Sequence, residues 1–324
     1  MSEVRRGNLP ILFEFIGFLR KAFFFIILAF LFSAFDLSAV CYPSLQPSSQ
    51  SNYANFWYDI FSPVSFLLPP HYPKKVIYET KSNYSEIRVY DDGEGWRYLV
   101  FLPEYGYQSV LDTKNPEVLV SQYAKLSFLA IPALGQESHK VLFIGMGGAI
   151  MPTYFRHYYP DAQIDIVDID NSIPSIAETY FNFKANKNTK VYIEDGRKFI
   201  EETNDKYDII FLDVYDAETI PQQFTTEEFF QLLRMRLSPE GVLSLNLANF
   251  SDKFVLKIFK SVKSAFPNTY AFLTENEHNY VLISLNSEEK ALKDLELKSL
   301  ILDSRNTFNI NFQTMLNPVT IIKE

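Results

Sequence analysis

The sequence predicts an α/β fold in which a small β-hairpin domain precedes a doubly wound, mostly parallel sheet. From Lys140 onward, short apolar runs alternate with helical stretches, which is the pattern of successive βα units. Before that point, residues 85–101 alternate apolar and polar residues around an Asp-Gly turn, as hairpin strands do. A glycine cluster at 145–148 stands where the first apolar run of the α/β part ends.

Five βα units are expected to build the parallel part of this sheet. The strands are predicted at 140–145, 163–168, 190–193, 207–213 and 241–247. The helices are predicted at 150–158, 172–182, 196–203 and 226–237. A helix at 252–264 and two more strands, near 269–273 and 279–285, bring the sheet to seven strands.

Residues 1–41 form a separate segment with a strongly apolar centre. Residues 22–35 read AFFFIILAFLFSAF, and with Asp36 tolerated the run reaches Val40, close to the ~20 residues that span a bilayer. Positive charge lies only on its amino-terminal side, since no Lys or Arg occurs between Lys21 and Lys74. A signal anchor, a cleaved signal peptide and a buried or interfacial helix all fit. Membrane association through residues 22–40 is favoured, with the rest of the chain cytoplasmic and the side of the membrane left open.

Three further domains or linkers are expected after this segment. Residues 42–73, rich in Pro and Ser, predict a linker. Residues 74–115 predict the small β domain, with the pattern becoming β from Val76 and a further strand around 107–111 after the hairpin. Residues 116–324 predict the α/β domain, which begins with a helix over 117–134.

Composition and charge exclude several classes of function. Hydrophobic residues make up 47% of the 324 residues, with 30 Phe and 20 Tyr, which indicates a folded chain. The formal net charge of −9 argues against nucleic acid as a partner. The single cysteine, Cys41, rules out an intramolecular disulfide, and the four histidines show no spacing typical of a metal site.

The glycines Gly145, Gly147 and Gly148 are expected to bring the backbone close to a ligand at the first strand-to-helix turn. Ligands of doubly wound sheets bind outside the carboxyl ends of the strands, and glycine allows both close approach and unusual backbone angles. A tight turn without a ligand is the alternative interpretation. Ile150 occupies the place of the last glycine of the dinucleotide fingerprint, which favours a smaller adenosine ligand over a nicotinamide dinucleotide.

Acidic residues follow the next two strands. Asp168 ends the second strand, where a carboxylate can accept hydrogen bonds from both hydroxyls of a ribose. Asp170 starts the following helix and is interpreted as its cap. Asp195, followed by Gly196, suits an acceptor for an adenine amino group with backbone N–H groups nearby, and it equally suits a helix N-cap.

The fourth strand ends in an acidic loop. Asp213 finishes the apolar run, and Asp216 follows three residues later, with Tyr215 between them and Glu218 beyond. Carboxylates around a cleft can hold a polyamine cation and take a proton from an amine. A solvated acidic loop is the alternative interpretation, which we adopt for Glu218.

Four motifs together resemble the spermidine synthase (polyamine aminopropyltransferase) family. They are VLFIGMGGA, IVDID, EDGRKFI and LDVYDAETIPQQFTTEEFF, in this order. The upstream YSEIRVYDDGEGWRYLVF and YQSVLD are similar to the small amino-terminal β-domain of that family, so the resemblance spans about residues 76–286. It is strongest for bacterial spermidine-synthase-like proteins. It implies a Rossmann-like class I methyltransferase fold and transfer of an aminopropyl group from decarboxylated S-adenosylmethionine, a co-substrate, to a polyamine amine, with no permanently bound cofactor.

The resemblance also implies roles for individual residues. Asp168 would hold the ribose and Asp195 the adenine of the donor. Asp213 would deprotonate the attacking amine, and Asp216 would hold the cationic end of the substrate. Other substrate-side positions are Gln108, Tyr123, Tyr84 and Tyr215.

The sequence departs from the family pattern at three places. Gly148 stands where the family usually has an aspartate that grips the aminopropyl ammonium, and Ala124 stands where a glutamine is expected after Tyr123. TENEHNY, residues 274–280, replaces the loop that usually supplies a substrate-facing tyrosine. Two alternatives therefore stay open: a methyltransferase that uses intact S-adenosylmethionine, and a non-catalytic module that binds a nucleoside or a polyamine. The acceptor amine and a homodimer are also left open.

Overall fold

A computed structural model of the protein describes residues 74–103, 106–215, 220–248, 252–274, 279–287, 292–305 and 307–316. The apolar segment predicted over 1–41, with its membrane attachment through 22–40, and the linker predicted over 42–73 lie outside these residues. Within the described part of the chain, no helix is both long and apolar enough to cross a bilayer.

A four-stranded antiparallel sheet comes first in the described chain. Each strand pairs with the next one in sequence: β1 (Lys75–Lys81), β2 (Glu86–Asp91), β3 (Trp96–Leu102) and β4 (Ser109–Asp112). The β2–β3 turn depends on Asp92, whose Oδ1 accepts hydrogen bonds from the N–H groups of Glu94 at 2.8 Å and Trp96 at 3.0 Å. Ile87 and Val89, which alternate along β2, are completely buried. The predicted hairpin is confirmed.

A seven-stranded, mostly parallel sheet follows. Its strands are β5 (Lys140–Ile144), β6 (Gln163–Asp168), β7 (Thr189–Ile193), β8 (Tyr207–Leu212), β9 (Leu237–Ala248), β10 (Asn268–Leu273) and β11 (Asn279–Leu285). Their order is β10-β11-β9-β8-β5-β6-β7. The strands β5 to β9 are parallel, and β11 runs antiparallel to both of its neighbours. The predicted doubly wound α/β fold is confirmed.

Helices pack on the two faces of this sheet. They are α1 (Gln122–Ser127), α2 (Ala130–Leu134), α3 (Ile150–Tyr158), α4 (Ile173–Tyr180), α5 (Gly196–Glu202), α6 (Glu227–Arg236), α7 (Asp252–Ala265) and α8 (Leu292–Ser304). Alternate strand residues enter two separate cores. Phe143 and Phe211 stack at 4.5 Å in the core shared with α1–α4 and α8, whereas Leu142 and Leu212 lie in the core shared with α5–α7.

The prediction of one helix over 117–134 is wrong. The structure has two short helices there, α1 and α2, and the first begins only at Gln122. Pro132 lies in the first turn of α2, where its missing N–H is tolerated, but in one continuous helix it would leave the carbonyl of Phe128 without its donor and crowd it with the ring. The N–H of Ile131 donates to Phe128 instead, at 3.0 Å, in a tighter turn between the helices.

Candidate active site

A cavity of about 740 Å³ opens at the carboxyl ends of β5 to β8. β5 lies at the switch point of the sheet, because β6 and β7 follow on one side of it and β8 and β9 on the other. Residues of the small antiparallel sheet and of the segment after it also line the cavity, as does Gln108 in the connection between β3 and β4. Doubly wound sheets bind their ligands at this place.

Two of the predicted glycines are required by the turn between β5 and α3. Gly145 has a φ of +92°, and a Cβ there would lie 2.0 Å from the backbone oxygen of Asp213. Gly147 has a φ of +50°, and a Cβ there would lie 2.8 Å from Oγ of Ser109. Both glycines line the cavity, so backbone atoms face a ligand at this turn.

Gly148 differs from the expectation, because it is not among the described residues that line the cavity. Its N–H donates to Oγ of Ser109 at 2.8 Å. A Cβ at this position would lie 2.9 Å from the ring of Phe181 and 3.0 Å from Cβ of Ser109. These neighbours leave no room for the aspartate that the sequence comparison led us to expect at this position.

Asp168 ends β6, and its carboxylate turns back onto the glycine turn. Oδ2 accepts a hydrogen bond from the N–H of Met146 and Oδ1 accepts one from the N–H of Asp170, each at 2.9 Å. Burial raises the pKa of Asp168, and these N–H groups act in the opposite direction. The residue lines the cavity, and the N–H of Gly147 also acts on its carboxylate, which leaves at least one acceptor site for a ligand hydroxyl.

Asp195 caps helix α5, as the alternative interpretation of the sequence proposed. Its Oδ1 accepts hydrogen bonds from the N–H groups of Arg197 and Lys198, at 2.9 and 3.0 Å, and its Oδ2 accepts one from the amide of Gln223 at 2.8 Å. Gly196 follows it, where a Cβ would lie 2.4 Å from the side chain of Ile144. Both Asp195 and Gly196 line the cavity, so capping the helix does not remove Asp195 from the site.

Asp213 follows β8, beside the switch point. Nδ2 of Asn246 donates to its Oδ1 at 2.9 Å, and the side chain of Tyr123 from α1 hydrogen-bonds the same carboxylate. Burial outweighs these two contacts and raises the pKa of Asp213 to about 6. A carboxylate whose pKa lies near neutrality is suited to accept a proton from a reacting group.

Of the other predicted site residues, four line the cavity and one lies outside the described part of the chain. Tyr84, which is 56% exposed, and Tyr123 line the cavity together with Gln108. Tyr215 also lines it, but its hydroxyl donates to the carbonyl of Asn246 and accepts from the N–H of Ala248, both at 2.7 Å. Tyr215 therefore offers mainly its ring to a ligand. Asp216 lies outside the described residues.

Several polar residues of the cavity wall were not predicted from the sequence, and three of them lie close to the predicted site residues. These three are Ser109, Asn246 and Asn279. Asn246 interrupts the apolar run of β9, GVLSLNLA, near its carboxyl end, and a buried amide there needs polar partners. That signal is present in the sequence. Asn279 gives no comparable signal, because it stands at the first position of its strand.

The charged residues that line the cavity are all acidic in the part of the chain that the structure describes. They are Asp168, Asp170, Glu194, Asp195 and Asp213. Lys, Arg and His are absent from this described wall. A cationic ligand would be attracted here, whereas a ligand carboxylate would meet no cationic side chain among these residues.

Comparison with known proteins identifies a family model and a similar protein. The chain matches the model of the spermine/spermidine synthase domain over residues 127–293, more than half of its length. It is 30% identical over 221 residues to a polyamine aminopropyltransferase of Vibrio vulnificus, a match that covers 65% of this chain and 72% of that protein.

Two solved structures have a similar fold. A probable spermidine synthase from Corynebacterium glutamicum matches with a TM-score of 0.60 at 19% identity, over 69% of this chain and 86% of that one. That likeness shows the fold alone. Human Methyltransferase-like protein 13, solved in complex with SAH, matches with a TM-score of 0.50 at 29% identity, over 56% of this chain and 88% of that one. The predicted Rossmann-like fold is confirmed.

Proposed function

The chain belongs to the spermine/spermidine synthase family, and on that premise we propose that it transfers an aminopropyl group from decarboxylated S-adenosylmethionine to a polyamine amine, such as one of a putrescine-like diamine. One observation carries the proposal. Asp213 is a half-buried carboxylate at the switch point of an acidic cavity, and its pKa is raised to about 6. Such a group is available as a base in an environment that attracts amines.

In the proposed reaction, the amine nitrogen attacks the carbon next to the sulfonium of the donor. The new N–C bond forms as the C–S bond breaks, and methylthioadenosine leaves. Asp213 takes the proton that the amine loses. Because a sulfonium is a good leaving group, the protein needs mainly to align the two substrates and accept this proton.

The nucleoside half of the donor is assigned to the ends of β5, β6 and β7. Gly145 and Gly147 let the backbone approach it, and Asp168 accepts hydrogen bonds from the ribose hydroxyls. Asp195 and the N–H of Gly196 are assigned to the adenine. The proposal is supported by the position of these five residues on the wall of one cavity.

The amine substrate is assigned to the side of the cavity that the small sheet and α1 form. Gln108, Tyr123 and Tyr84 line that side, and the acidic wall complements a polyamine. Asp216 is assigned to the distal cationic end of the amine from its sequence motif alone.

A second candidate is methyl transfer from intact S-adenosylmethionine. Two observations favour it: the likeness to human Methyltransferase-like protein 13, and the glycine at 148 in place of an aspartate. The charge of the cavity favours the decarboxylated donor, because intact S-adenosylmethionine carries a carboxylate and the described wall offers no cationic partner for it.

Product analysis separates the candidates. The full-length protein is incubated with each donor and a panel of diamines and polyamines, and the products are identified by mass. We expect an aminopropyl adduct and methylthioadenosine from the decarboxylated donor only. In the near-isosteric control Asp213→Asn, turnover should fall by about 10²–10⁴, the usual contribution of a general base, while affinity for methylthioadenosine is kept.

Other outcomes replace the proposal. Methyl adducts from intact S-adenosylmethionine would establish the second candidate. Nucleoside binding without transfer from either donor would leave a non-catalytic binding module.

Membrane association through residues 22–40 and a homodimer stay predictions. Carbonate extraction of membranes from cells that produce the full chain tests the first. A chain that fractionates entirely with the supernatant before extraction would contradict it. Light scattering of the purified protein tests the second.

A further inference from the structure

Three polar side chains form a hydrogen-bonded series at the carboxyl ends of β8 and β9 and the start of β11. Nδ2 of Asn279 donates to Oδ1 of Asn246 at 3.1 Å, and Nδ2 of Asn246 donates to Oδ1 of Asp213 at 2.9 Å. Asn246 and Asn279 are only 4% and 6% exposed. The proposed reaction uses Asp213 but gives no role to the two amides.

The sheet itself brings the three residues together. β8 and β9 pair in parallel with Leu212 opposite Leu245, so the residues that follow them, Asp213 and Asn246, are neighbours. β11 runs antiparallel along the other side of β9, and its first residue, Asn279, therefore lies at the same end.

The three side chains also share one face of the sheet. Residues two or four positions away along a strand point to the same face of the sheet. Those that stand so before Asp213 and Asn246, or after Asn279, belong to a single core. These residues are Ile209, Phe211, Val242, Val281 and Ile283. The polar series is therefore the edge of an apolar layer at the point where that layer meets the cavity.

Two buried amides in this position need an explanation. A buried polar group requires hydrogen-bond partners, whereas an aliphatic residue of similar size would continue the apolar layer without them. The backbone of Asn246 is held as well, since its carbonyl accepts the hydroxyl hydrogen of Tyr215 at 2.7 Å. The fold thus fixes an amide beside the proposed base where packing alone would favour an apolar residue.

An ionised Asp213 can only accept hydrogen bonds, which sets the direction in which every hydrogen bond of the series is donated. Turning the amide of Asn246 around would bring its oxygen against Oδ1 of Asp213 and its NH₂ group against the NH₂ group of Asn279. Both contacts are repulsive, so the Asn246 N–H must face Asp213.

Resting on the proposed function, in which Asp213 accepts the proton of the amine, we propose that Asn279 and Asn246 are positioning residues that act in series. Asn279 orients the amide of Asn246. Asn246 in turn fixes the Asp213 carboxylate and stabilises its ionised form.

Few other groups that face Asp213 can contribute to its titration. In the described structure they are Tyr123 from α1, which hydrogen-bonds the carboxylate, and Tyr215 from the same loop, whose own pKa is raised by burial. From β9 and β11, Asp213 is faced by the two amides. A change at Asn246 or Asn279 should therefore be seen directly in the titration of Asp213.

The test is a carbon-13 NMR titration of the full-length protein with labelled aspartate carboxyl groups. The Asp213 signal is the one missing from the Asp213→Asn spectrum. Removing a hydrogen bond to a charged group should raise the Asp213 titration midpoint by about one pH unit in Asn246→Leu. Asn279→Leu should raise it by less, and the double variant should match Asn246→Leu alone, because Asn279 acts through Asn246.

A matched control is Ser244→Ala, a buried substitution on the same face of β9 that should leave the midpoint unchanged. Should Asn246→Leu fail to fold, Asn246→Ala carries the same expectation. Additive shifts of the two single variants, or unchanged midpoints in both, would overturn the proposal.

Kinetics supply the second measurement. In Asn246→Leu the acid limb of kcat against pH should move up with the NMR midpoint, and the rate should recover at higher pH. Damage to the structure would instead lower the rate at every pH. Because the NMR titration needs no turnover, shifted midpoints without any alkylated amine would refute the proposed function and leave the series intact.

Discussion

Replacing Asp213 by Asn should stabilise the protein at neutral pH and have little effect in acid. Burial raises the pKa of Asp213 from 3.8 to about 6, so the folded state binds this proton more tightly than the unfolded chain does. For such a group, the stabilisation is lost as the pH rises above its pKa in the unfolded state. The loss is complete once the pH exceeds its pKa in the folded state. The window is therefore about pH 4 to 6. Asparagine cannot ionise, so the variant does not lose this stability as the pH rises.

The size of the effect follows from the pKa difference. About two pH units correspond to an upper limit of about 3 kcal/mol, at ~1.4 kcal/mol per unit. Asparagine keeps an acceptor for the amide of Asn246 but weakens the contact with Tyr123, at a cost of about 1 kcal/mol. A net gain of about 1–2 kcal/mol is expected at pH 7.5.

Urea unfolding at pH 4.5, 6.0 and 7.5 measures this gain. The difference between Asp213→Asn and the wild type should grow with pH across this range. Asp161→Asn, an exposed substitution, is the matched control and should give the same difference at each pH. A wild type at least as stable as Asp213→Asn at pH 7.5, or a difference that does not change with pH, would refute the reasoning.

The remaining predictions concern the donor site and the first 73 residues. Asp168→Ala should weaken methylthioadenosine binding by about 1.5–3 kcal/mol in calorimetry, the range for hydrogen bonds to a charged group, and unchanged affinity would show that Asp168 does not hold the ribose. Gly145→Ala places a Cβ 2.0 Å from the backbone oxygen of Asp213 and should lower the free energy of unfolding by well over ~1 kcal/mol, so a urea midpoint equal to wild type would contradict the turn geometry. A chain that begins at Lys74 should unfold cooperatively on heating, because every strand of both sheets lies after that residue; an insoluble or molten product would mean that residues 1–73 belong to the core.

Most of the fold could be predicted because its strands are apolar runs bounded by glycine or aspartate. β5 to β8 were predicted to within one residue at each end. The start of β9 was placed at 241 instead of Leu237, because Pro239 and Gly241 are typical of a turn. The long helix over 117–134 was predicted because the apolar pattern continues past Pro132, and the ring of one proline outweighs that pattern.

The candidate site could be predicted as far as it depends on parallel strands. Asp168, Asp195 and Asp213 each follow such a strand, and the carboxyl ends of parallel strands lie along one edge of the sheet. The contact between Asn279 and Asn246 depends on something else. β11 inserts between β9 and β10, and neither that order nor the antiparallel direction can be read from the succession of apolar runs.

The glycine at 148 has a structural cause that bears on how the donor is held. Oγ of Ser109 accepts the N–H of Gly148 and donates to the carbonyl of Gln108, both at 2.8 Å, so one hydroxyl joins the glycine turn to the start of β4. A side chain at 148 would displace Ser109 and Phe181, and with them the contact between the two sheets. The turn thus has a fixed backbone connection where the family pattern has a carboxylate. We expect the positive charge of the proposed donor to be met by other carboxylates of the cavity wall, of which Asp168 and Asp213 both lie beside this turn. We therefore expect Asp213 to serve both substrates, so that its hydrogen bond with Asn246 bears on the donor as well as on the amine.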